Sequence, residues 1–363
     1  MTLDEQFQVF VRGLLTDNAH TAERHFRQWA NAVDITDLDP RILRMMPAFQ
    51  VALLRHQLPT PFPGYVKKFE RYWWLNQRWL ERSGRPLVQH MLNQGIPVVA
   101  LKGLAVRNIV AHPDARTMSD IDLWIPERRV EEAMEFLLAD GYEVAEDMRA
   151  LWAADPKRYR RIQHALPMRH RALKMEVDLH WRLGGLISPR RSRKWLAEAA
   201  AEGPQVQGWP DGLRAMAGPA LVRTVMANGY MDAWSSGVWM LDVKALTADW
   251  TAEEWLAVRA GFVADDRLFM WNWACQTLLQ HAFPLPAEVV WAGGAGPARR
   301  WRRMVYRGHW EDEARGLMAH RWVRPWRSAY RLTRLHAMGE GMGRQSVVFW
   351  SHWKAITMER KSG

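Results

Sequence analysis

Cysteine is nearly missing from this chain: Cys275 is the single one among 363 residues. No internal disulfide can form, and a disulfide scaffold or a thiolate metal cluster is excluded; a reducing compartment is the expected home. Long apolar runs are missing too. No stretch approaches the roughly 18 to 20 uncharged apolar residues that a membrane-spanning helix needs. The opening residues Met1-Thr-Leu-Asp-Glu-Gln6 have neither the basic start nor the apolar run of a signal peptide. A cytoplasmic protein with no membrane partner is therefore expected. There is no repeat period and no low-complexity tract. Acidic residues are in deficit, 39 against 50 lysines and arginines, which leaves a formal charge of +11. Such a surface attracts polyanions as a class, nucleotides and nucleic acids included.

Apolar material is plentiful. It makes up 48% of the chain, and the 22 tryptophans alone can bury a large area, so disorder is excluded over most of the length. The length suits two or three packed units. Residues 1–95 read as helical. Phe7, Phe10, Leu14 and Leu15 have helical spacing, and Asp39-Pro40 is a cap followed by a first-turn proline that opens a helix to about residue 57. Residues 59–64 form a proline-rich linker. A long amphipathic helix is predicted over 65–93, with Gly95 as its stop.

The pattern then changes. Residues 96–101 are a short buried-strand run, Lys102-Gly103 follows, and 104–111 can form a helix. Residues 120–125 alternate acid and apolar, which predicts a strand with one chemically active face. A helix is predicted over 127–139 with Gly141 as its stop, and two strands over 163–169 and 173–181 joined by a tight turn. From about residue 192 the helical pattern returns, with helices predicted over 234–246, 252–262, 268–281, 298–307, 314–334 and 346–359. Trp271, Trp273 and Cys275 read as core, the cysteine as an inert buried thiol.

The chemistry lies in the middle block. Asp120 and Asp122 are two apart on a predicted strand, so both carboxylates share a face. Adjacent carboxylates repel unless a cation lies between them, and magnesium takes such oxygen ligands while leaving positions for phosphate oxygens. Two such ions can hold the attacking and leaving oxygens of an in-line displacement. Glu176, Asp178 and His180 share a face of the later strand, and Asp178 is the choice for a third carboxylate, with Glu176 competing. His180 is open between a base, a phosphate contact and a packing residue. Lys102-Gly103 places a cation and a glycine between strand and helix, where backbone N–H groups approach phosphate. Arg116 offers a bidentate grip on phosphate or an ion pair with Asp120. Ser119 can cap the turn or touch a phosphate. The histidines 164, 170 and 180 fit no standard zinc spacing. Residues 299–334 interleave arginine with tryptophan and tyrosine, which suits stacking on bases but equally a helix pair packing its tryptophans inward.

Lys102-Gly103, Arg116-Thr-Met-Ser-Asp-Ile-Asp122 and Glu176-Val-Asp-Leu-His-Trp181 together resemble the uncharacterised nucleotidyltransferase family of the polymerase-β superfamily, whose members are often encoded beside genes for lasso peptides and similar products. The resemblance covers residues 96–183 well and extends faintly to Trp239-Met-Leu-Asp242. The superfamily usually has Gly-Ser or Gly-Gly at the turn, whereas this chain has Lys-Gly-Leu and so lacks the phosphate-binding hydroxyl there. The resemblance implies an α+β fold: a minimal nucleotidyltransferase sheet domain (96–190) flanked by an N-terminal helical region (1–95) and a C-terminal helical domain (191–363). It implies an enzyme that moves a nucleoside monophosphate from a nucleoside triphosphate, ATP by preference, to a hydroxyl on a peptide or small molecule. Asp120, Asp122 and Asp178 would be catalytic and would hold two Mg2+ ions; Lys102, Gly103, Arg116, Ser119 and His180 would bind the nucleotide. An RNA-directed enzyme acting on nucleic acid and a non-catalytic nucleotide-binding partner module remain the alternative readings.

Overall fold

The computed structural model describes residues 1–289 apart from 145, 185, 186, 188, 233–236, 266, 282, 284, 287 and 288. The basic aromatic segment 299–334 and the helices predicted beyond residue 297 lie outside the described residues. The chain divides into two compact units. The first, residues 1–154 and 164–292, contains the whole sheet described below.

The N-terminal helices begin where their sequence caps them. Thr2 and Glu5 form a capping box on α1 (Leu3–Leu15), and the Asn18 side chain accepts the Thr21 N–H at the start of α2 (Ala19–Ala30). Asp39 caps α3 (Pro40–Leu43), and α4 (Met46–Arg55) follows. The single helix expected to about residue 57 is thus two. Pro47 is the reason: it has no N–H to give and its ring opposes the carbonyl one turn back, so the helix restarts with Pro47 in its first turn. The long helix α5 (Pro63–Asn93) begins inside the expected linker, with Pro63 at a helix-starting position. Phe7, Phe10, Phe26, Trp29 and Phe49 are buried together, with ring centroids of Phe10 and Trp29 4.7 Å apart. Each such side chain contributes about 1.5–3 kcal/mol of burial, which holds α1, α2 and α4 together.

Strand β1 (Val99–Ala100) leads into α6 (Lys102–Ile109). Lys102-Gly103 therefore forms the first turn of that helix, not a linker before it. A short 3-10 turn at Pro113–Ala115 precedes β2 (Ile121–Trp124), all four residues of which are buried. After α7 (Val130–Ala139) the chain turns at Gly141, φ +95°, where a side chain would be strained. There follow β3 (Tyr142–Val144), α8 (Glu146–Ala154) and α9 (Pro156–Ile162), the last of these in the second unit. Then come β4 (Ala165–His170) and β5 (Glu176–His180), joined by the tight turn the sequence predicts. The C-terminal part supplies α10 (Pro189–Glu202), β6 (Arg214–Ala215), α11 (Gly218–Asp232), α12 (Val238–Leu246), α13 (Ala252–Ala264) and α14 (Leu268–Gln280).

The six strands run in the order β3-β4-β5-β2-β1-β6. β5 and β2 are parallel, as are β1 and β6; the other pairs are antiparallel. The mixed sheet with helices before and after it is the expected α+β class. Two strands were not expected. β3 follows a helix stop with only three residues, and β6, two residues long, lies in a stretch read as helical. The last helices pack back on the first: Lys244 of α12 donates to the Leu15 carbonyl at the end of α1 (2.8 Å) and pairs with Asp17 (2.7 Å).

Candidate active site

The centre of the sheet sets the site. In the parallel pair of β2 and β5, Asp122 is the register partner of Asp178 and Trp124 of His180. Side chains alternate along a strand, so the facing positions put the two aspartates on the same side. Asp120 lies just before β2, two residues from Asp122. Leu101 ties β1 to this point through its N–H to the Asp122 carbonyl (3.0 Å), which brings Lys102 alongside.

Asp122 is the hub. It is only 5% exposed, and its Oδ1 accepts from Lys102 Nζ at 2.5 Å and from His180 Nε2 at 2.9 Å. Asp122, Asp178 and His180 offer donor atoms that all lie within 4.8 Å of one another. Burial opposes ionisation of Asp122, but Lys102 and the His180 hydrogen bond outweigh it and hold its carboxyl well below the usual range. Asp178 is pushed up to about 6 by burial and by the charge on Asp122. Asp120 is also pushed up to about 6, by burial and then by Asp122 and Asp178. Burial works against the Lys102 ammonium, yet the neighbouring aspartates hold its pKa above the ordinary value. Three carboxylates against one lysine leave a deficit of positive charge. Hard oxygen donors with that deficit suit a divalent cation such as magnesium, so the residues present fit the metal that the sequence implies.

Glu176 is not part of this group. It sits at the exposed start of β5 and faces Arg169 of β4, at 3.8 Å. His180 is buried against Asp122, and burial together with Lys102 lowers its pKa. His170 is committed elsewhere: its Nδ1 accepts the N–H groups of Ala172 and Leu173 in the β4–β5 turn. The three histidines do not converge as a zinc set. Ser119 is exposed and its hydroxyl donates to Asp120 Oδ1 at 3.2 Å, so it steadies a carboxylate.

The Lys102-Gly103 turn is tight. Lys102 has φ +41°, a left-handed conformation that costs a side-chain-bearing residue roughly 1–2 kcal/mol. A side chain at position 103 would lie 2.9 Å from Met118 Cγ and would force the Met118 side chain to shift, so glycine suits the close packing here. Arg116 does not pair with Asp120. Its Nε lies 2.6 Å from Oδ1 of Asp242 on α12, and its Nη1 donates to the Thr117 carbonyl. Sequence reasoning missed Asp242 and also Arg107 of α6. Arg107 is buried, pairs with Glu81 of α5 and with Asp114 (3.1 Å each), and donates to the Arg116 carbonyl at 3.1 Å. It thereby fixes the loop that carries Arg116, Ser119 and Asp120. Arg107 lies 26 residues from Glu81, and Asp242 lies far downstream of Arg116, so helix and strand periodicity could not reveal either pairing.

A mixed sheet that gathers carboxylates from neighbouring strands beside a lysine turn is the kind of layout that nucleotidyl transfer uses. The profile of a family described as "Uncharacterised nucleotidyltransferase" matches residues 51–262, more than half of the chain. The protein belongs to this family and is a nucleotidyltransferase. No curated protein matches the chain. Among solved structures, the solution structure of the antibiotic-resistance factor ANT(2'')-Ia is similar at 16% identity and a TM-score of 0.35, covering 56% of this chain and 99% of that one. Among the described residues, no helix is long and apolar enough to cross a membrane.

Proposed function

We propose that this enzyme transfers a nucleoside monophosphate from a nucleoside triphosphate, ATP by preference, to a hydroxyl on a peptide or small-molecule acceptor, in a magnesium-dependent reaction. The observation that supports it most is the facing pair Asp122 and Asp178, with Asp120 beside them and Lys102 bound to the central carboxylate. Asp120, Asp122 and Asp178 would hold the metal. Bound there, magnesium would supply charge neutralisation on the phosphate oxygens.

The protein's own groups do the rest in this reading. The acceptor oxygen attacks the α-phosphorus, the bond to the β-phosphate oxygen breaks, and pyrophosphate leaves. Asp178, which faces Asp122 across the two strands, receives the hydroxyl proton. Lys102 and the N–H groups after Gly103 hold the triphosphate at the helix start, and Arg116 offsets charge on the departing pyrophosphate. Ser119 and His180 steady Asp120 and Asp122 through their hydrogen bonds. The test is magnesium-dependent release of pyrophosphate from ATP by the Asp120→Asn/Asp122→Asn double variant. Abolition is expected; wild-type release would sink the proposal.

One observation favours a second reading, a nucleic-acid acceptor. Helix α5 exposes Tyr72, Trp74 and Trp79 beside Lys67, Lys68, Arg71 and Arg82. Exposed aromatic rings among cations suit bases and phosphates of a single strand. Steeply salt-dependent binding of single-stranded RNA, weakened by Trp74→Ala, would support this acceptor; no binding at low salt would remove it.

A further inference from the structure

Arg116 is a long side chain on a loop, and a loop by itself cannot aim a guanidinium. The aim comes from α12. Asp242 is 4% exposed, and its Oδ1 lies 2.6 Å from Arg116 Nε. Nη1 is committed to the Thr117 carbonyl. That leaves Nη2, which makes no hydrogen bond among the described residues and comes 3.7 Å from where a Cβ on Gly103 would stand. The free arm of the guanidinium therefore faces the Lys102-Gly103 turn. A buried carboxylate with a guanidinium as its ion-pair partner resists exchange for water, because leaving either charge unpaired in the interior is costly. Burial raises the Asp242 pKa and Arg116 opposes the rise, so the pair depends on the arginine.

The geometry points to Asp242 as a positioning residue for nucleotide binding: it holds the Arg116 guanidinium as its ion-pair partner while the loop ties down Nη1, so that Nη2 is presented to the triphosphate at the Lys102-Gly103 turn. This rests on the nucleotidyl-transfer reading above and adds to it the residue that orients the phosphate grip. Asp242 itself does not touch substrate. A brace that merely joined α12 to the loop would affect stability and nothing else.

The experiment measures binding of a non-hydrolysable ATP analogue with magnesium by calorimetry, on the full-length protein, alongside the melting temperature. Asp242→Asn keeps the shape and removes the charge. It is expected to weaken binding about tenfold, the scale of one misplaced charge-assisted hydrogen-bond donor. Arg116→Ala should weaken binding at least as much, and Arg116→Ala/Asp242→Asn should be no worse than Arg116→Ala alone, because Asp242 acts only through the arginine. If Asp242→Asn does not fold, Asp242→Glu carries the comparison. It keeps the charge but shifts the guanidinium by one methylene, and a several-fold weaker binding is expected. Wild-type affinity in the folded Asp242 variant, with or without a lower melting temperature, overturns the inference and leaves the proposed reaction intact. Absence of analogue binding by the wild-type protein overturns both.

Discussion

Asp122 and Asp178 sit opposite each other at paired register positions of two parallel strands, yet the structure treats them unequally. Asp122 is the acceptor of both a lysine and a histidine, while Asp178 has neither and its carboxyl is pushed up to about 6. One aspartate is thus a fixed charge and the other is poised to gain or lose a proton near neutrality.

The third carboxylate can be decided by paired substitutions. Asp178→Asn is expected to lower pyrophosphate release by a hundredfold or more, about what losing one key electrostatic group costs. Glu176→Gln should stay within about twofold, since Glu176 is exposed and turned to Arg169. Steady-state rates with ATP and magnesium check both, and equal losses would assign Glu176 a role that its position does not suggest.

Lys102 should behave as a stand-in for a metal. Lys102→Ala removes the ammonium from a buried carboxylate and is expected to cost about 2 kcal/mol, less than a fully buried pair because the lysine is partly solvated. Adding magnesium should then raise the melting temperature of the variant more than that of the wild type. Thermal denaturation with and without the metal measures it, and identical magnesium responses would contradict this view of the site.

Cys275 is buried on α14 and its thiol is pushed up to about 12 by burial. In the folded protein it should not react with a disulfide reagent over minutes at neutral pH. Its labelling rate in urea should follow the unfolding transition. Fast labelling without denaturant would show that α14 opens locally.

Acid should weaken the fold through His281. Burial lowers its pKa, while its Nδ1 lies 2.8 Å from the Thr277 carbonyl. The unfolded chain takes up the proton near pH 6.5, and the folded one only at lower pH. Between those values the unfolded state binds more protons, so stability falls as pH drops below about 6.5. His281→Gln should flatten that slope in urea melts at pH 5 to 7; an unchanged slope would place the effect elsewhere.

How much of this was readable beforehand depended on distance along the chain. Asp120, Asp122 and Asp178 were legible because alternation on a strand is local, and so was the cap at Asp39-Pro40. The break between α3 and α4 was also written in the sequence, at Pro47, but a strong start signal upstream masked it. β3 and β6 were illegible because two or three residues are too few for any period to show. The Arg116–Asp242 pair joins a loop to a helix far downstream, and nothing at either position announces the other. Alternation gave Asp178 and Glu176 the same face; Asp178 lies with Asp122 and His180, and Glu176 is exposed beside Arg169.

The parallel pairing of β1 with β6 has a consequence for how the protein is made. Val99 and Ala100 are in register with Arg214 and Ala215, and the Val98 and Ala100 carbonyls accept the N–H groups of Arg214 and Met216. On a ribosome those partners emerge long after the lysine turn and both aspartate strands have been synthesised. Until then the edge of β1 stays open, and the turn that follows it lacks its final support. Such late, long-range pairing is slow to form and leaves an unpaired strand edge in the meantime. A chain released early would carry every candidate site residue but leave the β1 edge unpaired beside them.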